Sequence, residues 1–491
     1  LEWSEVYTPS RRRPYITVSR TWARAGVNSS PDFLWDSFFN AVLVCQEDER
    51  KAYDMIRAIT SWQNDQGMFA QYGAWEPAPQ PSIFPVAWGH TQYPVGALAL
   101  AKVYQRRPNR ALLAEIYPRL LKNHRWWFAD RGDGQPWRDG NRNGLLELGS
   151  NYPEEIPYAS RQQVAYYESY DDSPQWWRVA KYNERTGTLE QDTVERNCLF
   201  AMDCWILSWL ARQLGRLQEA AALEAEHLRM AATINRLLWN PRRQCYFNRH
   251  WDNHDGDRFF PHVSPDIFMS LLGKVATPEQ AEALRKMFHD PAKFAGQWIL
   301  PTISRDDPEY PKQHYWKGKV WAPVNWLVYQ GFKIYDWDRE AGLLAESSTR
   351  MFLKPWRERA ECHENFLSTT GEGSSDPHYT WGALMALIGV EEYIDANPWH
   401  GLRFGNLHPS QPGSLERYFV AGSLYDVALA PDSMEVRRDG KLLFAADAPL
   451  EIRRVRFQDG RVHAEVRAAK AATLRVGGAS PRAVPPGVTQ I

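Results

Sequence analysis

The stretch YYESYDDSPQWW, residues 166–177, sets Asp171 and Asp172 side by side, just after Glu168 and among five aromatic rings. Two adjacent carboxylates resist ionising together, so the pKa of one is driven upward and it becomes available as a proton donor. Asp171 is the candidate general acid and Asp172 its polar neighbour. The plain alternative is a solvated Asp-Asp-Ser-Pro turn, but exposed turns rarely carry rings such as Tyr166, Tyr167, Tyr170, Trp176 and Trp177. Glycoside hydrolysis needs a second carboxylate across the cleft. Glu364 in HENF, ahead of the glycine-rich TGEGSS, is the best candidate. Glu361 and Glu372 compete with it, and chemistry alone does not rank the three.

A second constellation is RDGNRNGLLEL, residues 138–148. Asp139, Asn141 and Asn143 occupy positions 1, 3 and 5 of an oxygen-ligand calcium loop, Gly144 position 6, Leu145 position 7 through its carbonyl, and Glu147 position 9. Position 12 is Ser150 rather than a bidentate Glu. A calcium ion completed by another segment and a plain Asx-rich turn are both open readings. HWDNHDGDR (250–258) is less regular and reads as a hairpin or loop. His314, His363 and His378 are lone histidines in polar clusters, expected to hydrogen-bond substrate or a neighbour rather than to ligate a catalytic metal. No G-x-G-x-x-G, G-x-S-x-G or P-loop is present, which removes dinucleotide, α/β-hydrolase and nucleotide chemistry.

These residues sit in a 491-residue chain with Lys+Arg 58 against Asp+Glu 59, a formal net charge of -1. No basic or acidic run offers a footprint for nucleic acid or an anionic membrane, so the expected partner is a small-molecule oligosaccharide or glycoside. Cys45, Cys198, Cys204, Cys245 and Cys362 form no C-x-x-C pair and read as reduced thiols. No apolar run spans a bilayer and no signal-like segment opens the sequence, so it reads as soluble, with the cytoplasm as the expected compartment. Its 23 Trp, 22 Tyr and 20 Phe suit a sugar cleft, because flat rings stack on the C–H faces of sugars.

The elements that must position these groups are helices. Apolar residues recur at i, i+3, i+4 spacing from about 35 to 395. Leu199, Met202, Trp205, Ile206, Trp209 and Leu210 form one face over 192–214, with Gly215 as a stop. Hairpin pairs are expected at 36–46 with 49–63, 93–105 with 110–128, 192–214 with 217–238, 265–272 with 278–288 and 323–335 with 338–351, followed by a single helix at 379–394. That is one helix short of six hairpins. Thr277-Pro278-Glu279-Gln280 supplies a capping box. After residue 400 the period changes to 2, with hairpin signals at Asp439-Gly440 and Asp459-Gly460.

The polar aromatic clusters at 33–39, 88–96, 132–190, 314–326 and 363–381 each precede the first helix of a hairpin or the last single helix. In an alternating helical toroid those connections emerge on one rim and converge. The connections QED (46–48), RPNR (107–110) and GRLQ (215–218) on the opposite rim are short.

SRTW, FLWDSFF, TQYPV, DGNRNGLLELGS, YDDSPQW, YWKGKVWAPVNWLVYQGF and HENFLSTTGEGSSDPHYTWGALMAL, in this order, resemble the catalytic domain of glycoside hydrolase family 63 and the mannosylglycerate hydrolase-like enzymes over about residues 1–395. The resemblance implies an (α/α)6 barrel and hydrolysis of α-glycosides with inversion. It implies that Asp171 is the general acid and Glu364 the general base, and that Trp35, Asp36, Gln92, Trp321 and Trp381 line the sugar pocket. Tyr170 beside the acid, Lys317 and His378 complete the expected substrate contacts. Lys317 stands where the motif has Arg and cannot make a bidentate contact, and Ser169-Tyr170 and Asp172 depart from the Gly-Leu and Asn of the pattern. Members with this Asx-rich loop can bind calcium, which makes Asp139, Asn141, Asn143, Leu145 and Glu147 the expected ligands. The family's N-terminal β-domain has no counterpart in this sequence.

The expectation is therefore a mainly α chain: an (α/α)6 barrel over residues 1–398 and a small β-sandwich over 399–491. The activity expected is that of an inverting α-glycosidase acting on a chain end or a small glycoside, an α-glucoside first, with no cofactor in catalysis and calcium as a structural candidate. The rivals are a non-catalytic carbohydrate-binding protein and another (α/α)6 enzyme, such as a rhamnosidase-type hydrolase, a phosphorylase or a uronate-acting lyase.

Overall fold

Twelve α-helices follow one another along the chain in a computed structural model that describes residues 1–8, 13–23, 30–73, 89–151, 160–254 and 257–491. They are α1 (Leu34–Val44), α2 (Glu49–Ile59), α3 (Gly96–Arg106), α4 (Arg110–Trp126), α5 (Arg161–Tyr166), α6 (Val194–Gln213), α7 (Leu217–Leu237), α8 (Met269–Leu272), α9 (Pro278–His289), α10 (Ala322–Ile334), α11 (Asp338–Arg359) and α12 (Leu384–Tyr393). Local chemistry sets several of their starts. Asp48 and Asn109 accept the backbone N–H groups of Lys51 and Leu112 ahead of α2 and α4. Thr277 and Gln280 form the expected reciprocal capping box at α9, with Pro278 in its first turn.

The burial of these helices separates two layers. Every residue of α1 is buried, whereas α7 buries only the stripe Ala220, Leu223, His227, Met230 and Ile234. The inner helices pack in a closed circuit: α1 on α3, α3 on α6, α6 on α8, α8 on α10, α10 on α12 and α12 back on α1. Behind them α2 backs α1, α7 backs α6, α11 backs α10 and α12, and α4 leans on α3 and α6.

Some elements differ from the expectation. The segment expected as a helix over 265–272 begins as a 3-10 turn at Pro265–Phe268 and leaves α8 only four residues. The helix expected at 379–394 likewise opens as a 3-10 turn at Thr380–Ala383. α11 runs past 351 to Arg359, through Pro355. α5, of six residues, has no counterpart in the expected hairpin pairs, and the sheets begin at the strand Ile394–Asn397, a few residues ahead of the expected boundary at 399. His250 and His254 have the spacing of a helical metal pair but lie on the strand Arg249–His254, where four residues span about 13 Å.

Beyond α12 two antiparallel sheets share one apolar core. The first orders Ile394–Asn397, Gly401–Phe404, Leu450–Gln458, Arg461–Ala468 and Gly487–Gln490, and the second runs from Gly413–Val420 to Arg482–Val484. Phe404 of the first meets Tyr425 and Phe444 of the second at 5.0 and 6.1 Å between ring centroids. Both Asp-Gly signals are two-residue hairpins. Asp439 and Gly440 have φ 50° and 75°, Asp459 and Gly460 51° and 71°, the left-handed pair that matches strand twist.

Candidate active site

The connections leading into the inner helices enclose a cavity of about 330 Å³. All five polar aromatic clusters contribute to its lining: Phe33, Trp35 and Asp36; His90 and Gln92; Tyr167, Ser169 and Asp171; Tyr315, Trp316 and Trp321; and Tyr379 and Trp381. Short strands stitch these segments together. Asp32–Phe33 pairs with Tyr72–Gly73, which brings in Gln71 and Tyr72, and Val320–Trp321 pairs with Asn365–Phe366. Gly382 has no room for a Cβ, which would lie 2.3 Å from the His363 carbonyl. That close approach lets the neighbouring Trp381 donate its indole N–H to the Glu364 carbonyl at 2.8 Å.

Asp171 projects from a loop anchored on both sides. Before it, Glu168 is fully buried between Arg138 and Arg196, at 2.5 and 2.9 Å, and also accepts the N–H groups of Thr91 and Gly149. Burial pushes the Glu168 carboxyl up, but the two guanidinium ions outweigh it and hold it below its ordinary range. Glu168 is therefore a charged anchor. After Asp171, Gln175 donates to Asp266 at 2.7 Å and to Ser264 at 2.9 Å. Burial, then the charges of Asp172 and Glu364, push the Asp171 carboxyl up to about 8. Asp172 faces away into the 314–317 turn, accepting from Trp316 N–H at 3.0 Å and His314 at 2.9 Å, with Lys317 at 3.6 Å.

Glu364 lies just behind the lining. The Tyr315 hydroxyl donates to its Oε1 at 3.1 Å and the Asp376 N–H to Oε2 at 3.5 Å, while burial pushes its carboxyl up to about 7. Asp36, in the first turn of α1, accepts from the Tyr379 hydroxyl at 3.0 Å, and burial holds its carboxyl well above the usual range. Of the two competitors, Glu361 pairs with Arg359 and His363, and Glu372 with Lys354, so each is tied up at the surface. The arrangement offers carboxyl groups that exchange protons near neutral pH beside a wall of rings.

Of the substrate residues expected from the sequence, Trp35, Asp36, Gln92, Trp321 and Trp381 lie in the lining. Tyr170, Lys317 and His378 do not. The Tyr170 ring is buried and stacks on Trp316 at 4.3 Å, Lys317 is engaged with Asp172, and His378 lies against Trp3 with centroids 6.2 Å apart. Trp22, Gln71, Tyr72, His90, Tyr315, Trp316 and Tyr379 were not singled out. Tyr315 and Trp316 lie inside the 314–326 cluster, and Gln71 and Tyr72 carry no cluster signal at all.

The model of the mannosylglycerate hydrolase MGH1-like glycoside hydrolase domain matches residues 32–382. The chain belongs to this family of glycoside hydrolases. Mannosylglycerate hydrolase MGH1 of Selaginella moellendorffii is 24% identical over 410 residues, covering 72% of this chain and 78% of the relative. Mannosylglycerate hydrolase of Thermus thermophilus is 24% identical over 404 residues, covering 72% and 93%. A solved GH63 mannosylglycerate hydrolase from Thermus thermophilus, in complex with glucose, superposes with a TM-score of 0.60 at 20% identity, over 77% of this chain and 95% of that one. Neutral trehalase Nth1 from Saccharomyces cerevisiae, at 14% identity and a TM-score of 0.57, shares the helical architecture over 79% and 76%. Membership in the MGH1-like glycoside hydrolases makes this chain a glycosidase and sets aside a purely sugar-binding role.

In this MGH1-like hydrolase the Asx-rich loop gathers oxygen atoms that could hold a cation. Asn141 and Asn143 accept the N–H groups two residues on, and their amide nitrogens turn to Asp192 at 3.3 and 2.9 Å. Glu147 accepts Gly140 N–H, yet Glu147 Oε1 and Asp139 Oδ1 are buried without a hydrogen-bond partner among the described residues. Burial and then the Asp192 charge push Glu147 well up, and burial pushes Asp192 up to about 6. Three buried carboxyl groups with two orphaned oxygens are what an oxygen-seeking dication neutralises.

Proposed function

We propose that the chain hydrolyses small α-glycosides with inversion, Asp171 protonating the leaving oxygen and Glu364 taking a proton from the attacking water. The observation that carries this reading is the pair of raised carboxyl groups, Asp171 in the cavity wall and Glu364 behind Tyr315, with the charge of Glu364 among the causes that push Asp171 up. In that role the two carboxyl groups stand roughly 6.5–9.5 Å apart to admit water. Asp36, within reach of Glu364's charge, would hold a sugar hydroxyl, and Trp35, Trp321 and Trp381 would stack on the ring. The helical part, ending with α12 at Tyr393, is an (α/α)6 toroid, and the sheets that begin at Ile394 form a C-terminal β-sandwich.

The cavity volume suits one sugar with a small aglycone. Its described lining holds no Lys or Arg, which favours a neutral α-glucoside over the charged mannosylglycerate in the names of the relatives. A calcium ion held by Asp139, Asn141, Asn143, the Leu145 carbonyl, Glu147 and Asp192 would neutralise the loop that carries Arg138, and so steady the anchor of Glu168. The test is turnover of α-glucosides, α-mannosides and their glycerates by wild type, Asp171→Asn and Glu364→Gln. Loss of about 10²–10⁴ in kcat for both variants is expected, and wild-type rates in either would remove that residue from its role.

A further inference from the structure

Within the helical wall, and outside the cavity lining, His124 of α4, Cys204 of α6 and Glu226 of α7 bring their ligand atoms within 4.8 Å of one another. His124 Nε2 lies 3.8 Å from Cys204 Sγ and 3.4 Å from Glu226 Oε2. Tetrahedral zinc at ordinary bond lengths separates nitrogen from sulfur by about 3.6 Å and nitrogen from carboxylate oxygen by about 3.4 Å. The imidazole is already oriented. Its Nδ1 is 2.7 Å from Asp203 Oδ2, and its ring stacks on Phe200 at 4.4 Å and 12°. A carboxylate behind Nδ1 fixes the tautomer that leaves Nε2 free to donate to a metal. His124 and Cys204 are buried, but the Glu226 side chain is 36% exposed, which gives an ion a path from solvent.

We propose that His124, Cys204 and Glu226 form a three-ligand zinc site, with Asp203 as the carboxylate that positions the imidazole. A thiolate and a carboxylate balance the dication, and an imidazole with a thiolate selects zinc over calcium or magnesium. The ion would tie α4, α6 and α7 together, leaving its fourth position to water beside Glu226. Binding releases the Cys204 thiol proton, together with any proton held on His124 Nε2. The simpler arrangement, an imidazolium shared by Asp203 and Glu226, uses the same carboxylates but gives the thiol no role.

Cobalt separates the two. Chelator-stripped full-length protein is titrated with Co²⁺, and zinc is then added. One equivalent of Co²⁺ is expected to give tetrahedral d–d bands with a thiolate-to-cobalt charge-transfer band, both erased by one equivalent of Zn²⁺. Cys204→Ser removes the charge-transfer band, Cys245→Ser leaves it, and Asp203→Asn weakens zinc binding roughly 10–100-fold. Should Cys204→Ser fail to fold, Glu226→Gln, at the more exposed ligand, must weaken binding while keeping the thiolate band. A folded wild type without that band overturns the proposal, as does a band that survives in Cys204→Ser. Binding at the oxygen-rich 139–147 loop gives no thiolate band and so cannot imitate the expected result.

Discussion

Asp171 and Asp172 are identical side chains one peptide apart, and their surroundings divide the labour between them. Asp172 has both oxygens engaged by Trp316 N–H and His314, with Lys317 beside them, while Asp171 faces the cavity with its carboxyl pushed up to about 8. Glu364, raised to about 7, must be ionised to act as a base, and Asp171 must be protonated to act as an acid. In the proposed roles, the pH profile of kcat/KM is expected to be a narrow bell, rising near pH 7 as Glu364 deprotonates and falling near pH 8 as Asp171 does. Because the charge of Asp172 helps hold Asp171 up, Asp172→Asn moves the alkaline limb to lower pH. Initial rates across pH 5–10 for both proteins check this, and an unmoved limb would take the pair apart.

At the scale of elements, Asp171 is only as well placed as its loop. Glu168→Gln leaves Arg138 and Arg196 buried without a counter-charge, so a loss of about 3–5 kcal/mol in denaturant unfolding is expected. The calcium ion proposed at the Asx-rich loop makes a separate prediction. Chelation should lower Tm and added Ca²⁺ restore it, by up to about 2.7 kcal/mol at a hundredfold excess over Kd, and Glu147→Gln should abolish the response.

Much of this was legible beforehand because periodicity and caps act locally: α6, the Thr277 capping box and both Asp-Gly hairpins follow from neighbours in sequence. The convergence of five clusters was also readable, since alternating helices send every second connection to the same side. What could not be read depends on contacts distant in sequence. Gln71 and Tyr72 reach the cavity through strand pairing with Asp32–Phe33, Glu168 finds Arg138 and Arg196 from three separate segments, and Tyr170 turns its ring beneath the site onto Trp316. α8 was overestimated because Pro265 starts a 3-10 turn, whose apolar spacing resembles a helix over so few residues.

For the whole molecule, buried ions bind the sheets to the helices. Lys333 of α10 is 2.9 Å from Asp338 and 3.1 Å from Glu451 on the strand Leu450–Gln458, and Arg467 bridges the same two acids at 2.7 and 2.6 Å. Burial alone would push Glu451 up, but Lys333 and Arg403 lead a set of cations that hold it well below the ordinary range. Of the 23 Trp, 22 lie ahead of the first strand of the sheets at Ile394, and Trp399 sits in the turn that follows that strand. Glu451→Gln, placed in the sheets, should thus lower the melting temperature of Trp fluorescence in the helices, by about 3–5 kcal/mol of lost stability, in one transition. A second transition confined to the sheets would show that the two parts stand independently.

The measurement that bears most directly on the account is the anomer released first from an α-linked substrate, followed by proton NMR before mutarotation sets in. The proposed inversion by Asp171 and Glu364 predicts the β-anomer of the freed sugar as the initial product. An initial α-anomer would contradict it, because retention requires a carboxylate close enough to attack the sugar itself.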